Sequence, residues 1–162
     1  MTATLRYAVL DGIMLEIHDQ RAPSDADWDA MLDHFDAHTD EALGAIVLSD
    51  GPGPNAAQRK RLAERLRGRR IQTVVITDSL VARGAVTALR WVGHAIQAFA
   101  SSDLERAIAS FSFLPEQRRR VLLRMVELRY ELAGQPAAAE LGQLDEAALA
   151  EHLRQLRASS AA

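Results

Sequence analysis

The sequence predicts an α/β protein: a mixed four- to five-stranded sheet with helices packed on it, followed by a C-terminal helical appendage. Three observations carry this. Residues Ile71 to Phe113 read as strand, sharp Asp78-Ser79 turn, apolar helix, strand and second helix, alternating between extended and helical apolar spacing. The alternation of strand and helix from Ala45 onward implies parallel pairing through right-handed crossovers. Near the N-terminus, Asp11-Gly12 separates two short apolar runs and tolerates the positive φ of a two-residue turn, which adds an antiparallel hairpin.

The elements follow in order. The hairpin spans Tyr7–Leu10 and Ile13–Ile17. Pro23 stops extension, Ser24 opens a helix, and Trp28, Met31, Leu32 and Phe35 form its apolar stripe among acids. Ala45–Leu48 is too short for a helix and enters the rigid loop Ser49-Asp50-Gly51-Pro52-Gly53-Pro54, so it reads as a buried strand. Asn55 caps a second helix, roughly Ala56 to Arg67, whose main apolar positions are Leu62 and Leu66 and which ends at Gly68. Thr73–Thr77 is β-branched throughout and reads as a central strand covered on both faces. Ser79 caps a third helix, with Val81, Ala85, Ala88 and Val92 as one stripe widened by Val86 and Leu89, and with Gly93 closing it; it reads as the most buried helix. Ile96–Phe99 is the last strand, and Ser102-Asp103-Leu104-Glu105 reads as a capping box before Leu104, Ala107, Ile108 and Phe111. Pro115 then opens a long helix to about Leu132. Its two apolar stripes, Val121, Met125, Leu128 and Leu132, and Leu122, Val126 and Tyr130, call for two covering surfaces: a partner molecule, or a final helix marked by Leu149, Leu153 and Leu156 folding back. The expected division is an α/β domain over 5–113 and a helical appendage with a loose tail over 114–162.

Composition narrows the function classes. A chain of 162 residues with 48% hydrophobic and 25% charged residues has the makeup of one folded domain with room for an appendage. No cysteine is present, which excludes disulfides and thiolate metal sites and fits a reducing compartment, so the expected location is the cytoplasm. Met1–Arg6 lacks the pattern of a secretion signal, and no 18-residue apolar run predicts a membrane span. Phosphate-loop glycines and nucleophile signatures are absent as well. Of the chemistry-bearing residues, His34 and His38 share a helical face but lack a third ligand, so no metal is expected. Asp78, Ser79 and Arg83 sit where α/β sheets bind ligands, yet no base accompanies them, and a helix cap with its neighbours accounts for all three. No cofactor is predicted.

Charge is segregated. Between Asp11 and Glu41 stand ten acids and one arginine, whereas between Arg59 and Arg70 stand seven basic residues and one glutamate. The basic stretch has no aromatic residue for base stacking and an acidic helix beside it, so nucleic acid is not an expected partner. Attraction between the acidic and basic helices, within one molecule or between neighbours, is the more economical reading. On the third helix Arg83, Thr87, Arg90 and His94, with Trp91 alongside, form a stripe that reads as a contact surface, an anion site or a solvated face.

The run Val74-Val75-Ile76-Thr77-Asp78-Ser79, the helix ending in Leu89-Arg90-Trp91, and Ile96-Gln97-Ala98-Phe99 followed by Asp103-Leu104-Glu105-Arg106-Ala107-Ile108 resemble the STAS domain superfamily. The resemblance is to its SpoIIAA-like branch, that of the bacterial anti-sigma-factor antagonists, and covers residues 5 to 113. It implies a regulatory protein-binding module with a phosphorylatable hydroxyl at the start of the helix after the third strand. This chain has Gly51-Pro52-Gly53-Pro54-Asn55 there. The nearest hydroxyls at strand-to-helix junctions are Ser49 and Ser79, of which Ser79 is more simply a cap. The expected function is therefore a non-catalytic interaction or regulatory module whose partner is a protein or a second copy of itself. The alternative is a small-ligand or lipid-binding domain, which a continuous apolar cavity of several hundred Å³ would favour.

Overall fold

The computed structural model describes residues 3–38, 40, 44–91 and 95–160, with backbone alone at positions 81, 85, 88–91 and 160. The strands are β1 (Leu5–Leu10), β2 (Ile13–His18), β3 (Gly44–Ser49), β4 (Gln72–Ile76) and β5 (Ile96–Phe99). Interspersed are the helices α1 (Asp25–Ala37), α2 (Ala56–Leu66), α3 (Leu80–Trp91), α4 (Leu104–Ala109), α5 (Pro115–Leu132) and α6 (Glu146–Ser160). Asp11 (φ 51°) and Gly12 (φ 77°) make the hairpin turn, in which both central residues need positive φ. The five strands lie side by side in chain order, β1 antiparallel to β2 and the rest parallel. Right-handed crossovers that advance in one direction put every connecting helix on one face of the sheet. Accordingly α1, α2 and the start of α3 share one face, and α4, α5 and α6 cover the other.

The second face is tightly closed. Ile13, Leu15, Ile17, Ile46, Leu48, Val74 and Ile76 meet Leu104, Ala107 and Ile108 of α4 and Val121, Leu122, Met125, Val126 and Leu128 of α5 in one continuous core. The two stripes of α5 are both used inside the molecule, since α5 packs on β1 and β2 and also on α6, which contributes Leu149, Ala150 and Leu153 to the same core. Folding back of the last helix is therefore the arrangement adopted, and Tyr130 Oη lies 3.0 Å from His152 Nε2 at the seam. Beside β3 the same helices place two arginines on one acid. Arg129 Nη2 approaches Asp50 Oδ2 at 2.6 Å without hydrogen-bond alignment, Arg157 Nε donates to Asp50 Oδ1 at 2.7 Å, and all three side chains are nearly buried.

Two local expectations are corrected, and a third falls mostly outside the described residues. β4 is closed on one face only: Val74 and Ile76 are buried, while Thr73 and Val75 on the opposite side are half-buried. α4 has no capping box, because a short 3₁₀ turn over Ser101–Asp103 precedes it and Asp103 makes no side-chain cap bond. Ser101 instead gives its N–H and hydroxyl to Asp78, at 2.8 and 2.5 Å. For α3, Val86 is buried as expected and Leu80 is exposed, whereas the side chains of Val81, Ala85, Ala88 and Leu89, and all of Val92 and Gly93, lie outside what is described.

Candidate functional site

The face beneath α2 is built differently, and the cause lies in α2 itself. Its N-terminus is held by a reciprocal capping box, Asn55 N–H to Gln58 Oε1 and Gln58 N–H to Asn55 Oδ1, both 2.9 Å. Gln58 is also the anchor to α1: its side-chain amide donates to Pro23 O at 2.8 Å, and its main-chain carbonyl accepts the Trp28 indole N–H at 3.0 Å. Farther along, Arg61 pairs with Asp25 and Asp29 at 2.7 and 2.8 Å, and Arg65 with Asp33 at 3.1 Å and with Asp36. The attraction between acidic and basic helices is thus satisfied within one molecule. It holds the Arg61 and Arg65 guanidiniums above and the Asp25 carboxyl below their ordinary ranges, in each case chiefly through these side-chain hydrogen bonds.

Suspended from α1 in this way, α2 lines the space with Arg59, Leu62, Ala63 and Leu66, and the strands below answer with small side chains, Ala45, Val47, Thr73 and Val75. A pocket of about 560 Å³ remains between them. Met14, Met31, Phe35 and Ile71 extend its apolar walls, and the Gly51–Pro54 loop walls it beyond the end of β3. Gly51 belongs there because a Cβ would come within 2.7 Å of Asp19 O and 2.9 Å of Arg21 O, both backbone atoms that cannot give way.

Polarity is ordered along the pocket. At the carboxyl ends of β2, β3 and β4 the pocket is lined by Glu16, His18, Ser49 and Thr77, which are 9%, 2%, 6% and 1% exposed. His18 and Ser49 are register partners. His18 Nε2 lies 3.3 Å from Glu16 Oε2, while its Nδ1 is buried without any hydrogen-bond partner. The Trp28 ring meets the imidazole edge-on at 6.2 Å and fixes its plane. Ser49 donates to Gly51 O at 3.3 Å, and Thr77 Oγ1 accepts the Ser79 N–H at 3.3 Å. At the opposite end the wall consists of Gly68, Arg69, Arg70 and Ala95, all exposed. Buried hydroxyls and an imidazole at one end, with Arg59 beside them on the Pro54 carbonyl at 2.6 Å, arginines at the open other end and an apolar middle make a container. They do not make a reactive centre, since the Ser49 hydroxyl is bonded to a carbonyl and not to His18, so no nucleophile–base contact is formed.

The residues singled out from sequence are dispersed over the fold. Ser49 lines the pocket, buried, so a modifying enzyme could reach its hydroxyl only after local opening. Ser79 caps α3 by accepting the Ala82 N–H at 3.2 Å. Asp78 serves Ser101 and approaches Arg157 at 3.6 Å; burial opposes its ionisation, but the Ser101 bonds outweigh that and hold the carboxyl below its usual range. Arg83 and Thr87 stand over β5 and line a second, more open and more polar pocket of about 520 Å³, and Thr87 uses its hydroxyl on Arg83 O at 2.9 Å. The side chains of Arg90 and Trp91, and His94 entirely, lie outside the described residues. His34 and His38 lie with ring centres 4.4 Å apart, His38 Nδ1 sits 2.8 Å from His34 O, and no group of three metal-ligating side chains occurs among the described residues. No described helix is long and apolar enough to cross a membrane.

Sequence reasoning missed Glu16 and His18. Their signal was the alternation Ile13-Met14-Leu15-Glu16-Ile17-His18, which puts both polar residues on the strand face shared with Ser49 and Thr77.

Fold and site together define a class, an α/β protein with a ligand-sized, polarity-ordered pocket on one face of its sheet. Comparison of the chain with protein-family models, curated proteins and solved structures found no match.

Proposed function

We propose that this protein is a non-catalytic regulatory module of STAS-like architecture that binds a small molecule with an apolar body between its sheet and helices α1 to α3. The observation that carries the reading is the pocket of about 560 Å³, a volume in the range of small-ligand sites and bounded mainly by aliphatic and aromatic side chains. The chain order of hairpin, helix, strand, helix, strand, helix, strand, helix supports the STAS-like assignment. Regulation follows from position: the pocket touches the Gly51–Pro54 loop, which corresponds to the switch region of phospho-regulated relatives in that resemblance, so an occupant alters the surface offered to a protein partner. Self-association loses its original motives, because the second stripe of α5 is covered by α6 and the opposed charges of α1 and α2 are paired internally.

Calorimetric titration of the full chain with dodecanoate tests this reading. One site per chain and a negative heat-capacity change are expected, with affinity weakened in Val75→Phe, whose ring obstructs the middle of the pocket. Absence of saturable heat over a range of temperatures, or unchanged binding by Val75→Phe, overturns it.

A further inference from the structure

β5 ends the sheet and pairs on one side only, with β4. Thr73 and Thr77 give their N–H groups to Ala95 O and Phe99 O, at 2.7 and 2.9 Å. A strand residue turns its N–H and C=O to the same side, and successive residues alternate, so Ile96 and Ala98 turn theirs away from β4, along the free edge. The side chains of Ile96 and Ala98 stand on the α3 face of the sheet, and those of Gln97 and Phe99 on the α4 face. The second pocket, of about 520 Å³, touches all four together with both helices. It is therefore a groove that follows the edge between α3 and α4.

The groove decides what can enter. A folded neighbour brings its edge strand with helices attached, and α3 and α4 stand in their way; a short, recessed edge avoids indiscriminate sheet pairing in this manner. A bare extended segment meets no such obstacle and finds main-chain donors and acceptors in place, which is the basis of recognition by strand addition. Charge narrows the choice further. Arg83 of α3 and Arg106 of α4 wall the groove from opposite sides, against one carboxylate among the lining residues, Asp103. Neither arginine forms an ion pair among the described residues: Arg106 lies over the Phe99 ring at 5.7 Å, and Arg83 acts on Asp78 only at longer range. The four residues of β5 run about 13 Å at the strand rise, room for a segment of similar length. We infer that β5 is the docking edge for an extended acidic segment of a protein partner, which adds to the sheet as a further strand. Its main chain pairs with Ile96 and Ala98, its alternate side chains point toward α3 and α4, and its acids meet Arg83 and Arg106.

The probe is the fluorescein-labelled, capped peptide Val-Val-Glu-Glu-Val-Val, whose adjacent glutamates face opposite sides of a strand, titrated with the full chain and followed by anisotropy. Saturable binding of one peptide per chain is expected, with slowed hydrogen exchange at the Ile96 and Ala98 amides. Ala98→Pro removes an outward N–H that the ladder with β4 does not use, so it should keep the fold and weaken binding about tenfold. Arg83→Glu and Arg106→Glu should each weaken it about two- to fivefold, the size of an exposed ion pair. N-methylation of both glutamates, which takes the donor from whichever of them faces β5, should weaken it about tenfold. Val75→Phe, which obstructs the pocket under α2, should leave it unchanged. The exchange measurement carries the test if Ala98→Pro does not fold. No saturable binding, or equal binding of the N-methylated peptide, overturns this inference and leaves the pocket under α2 standing. Loss of binding in Val75→Phe overturns it by moving the peptide into that pocket.

Discussion

The two faces of one sheet make the informative contrast in this molecule. Adjacent residues of β3 and β4 are chemically alike, yet Ile46, Leu48, Val74 and Ile76 are at most 1% exposed whereas Ala45, Val47, Thr73 and Val75 are half-buried. What differs is the cover. α5 brings seven buried residues to the closed face, but in α2 Gln58 alone is buried, and it is a polar anchor to α1. A helix held from the side by caps and ion pairs need not fill the space beneath it. The comparison teaches that helices of similar amphipathic pattern can close one face of a sheet completely and, on the other, pack a smaller core under α1 while leaving a pocket beneath α2.

The largest expected effect lies where the closed side joins the strand ends. Asp50→Ala leaves Arg129 and Arg157 buried without their shared carboxylate and should cost about 3–5 kcal/mol in denaturant unfolding. Exposed pairs of the α1–α2 clasp, such as Arg61 with Asp25, should instead show their loss mainly as altered salt dependence. Next, Leu48→Ala should cost about 2–5 kcal/mol by opening a cavity in a packed core. Val47→Ala, one residue away, should cost about 1 kcal/mol or less, because its side chain already borders space. Equal losses at the two positions would break the distinction between the faces. Enlargement reverses the roles: Val74→Phe should destabilise by about 1–3 kcal/mol through overpacking, whereas Val75→Phe should be nearly neutral to the melting temperature.

The smallest effect sharpens the contrast at the margin of the open face. Burial alone would raise the Asp27 carboxyl, but the Thr4 hydroxyl, at 2.6 Å, the Thr4 N–H, at 2.8 Å, and Ser24 outweigh it and hold the group below its ordinary value. A carboxyl depressed in the folded state contributes stability that is full above its unfolded value of about 3.9 and is lost as pH falls through the folded one. Asp27→Asn should therefore flatten the acid limb of the stability profile and leave its neutral part changed by a constant.

Much of the fold was legible because local signals agreed. Asp11-Gly12, Ser24, Asn55, Ser79 and Pro115 each stand where an element turns or begins, and the apolar stripe of α1 is buried at Trp28, Met31, Leu32 and Phe35. The pocket was not legible. Val47 and Leu48 differ in sequence by almost nothing; Leu48 is covered by the helices of the closed face, and whether Val47 is covered depends on how far α2 stands from the sheet. That distance is set by long-range bonds, Trp28 to Gln58 and Arg61 to Asp25, between residues about thirty positions apart, which no local pattern reveals. Glu16 and His18 carried a period-two signal, but their burial arises only when β3 and α1 close around them.

Trp28 stands at the pocket wall and is one of only two tryptophans, so a Trp91→Phe variant turns it into a direct reporter. Titrating that variant with dodecanoate while following Trp28 emission should give a saturable shift with one ligand per chain, weakened by adding Val75→Phe and preserved with Leu114→Ala, an exposed position remote from the pocket. An emission spectrum that does not move, or that moves equally with the pocket obstructed, would contradict the claim that the open face of this sheet is a binding site.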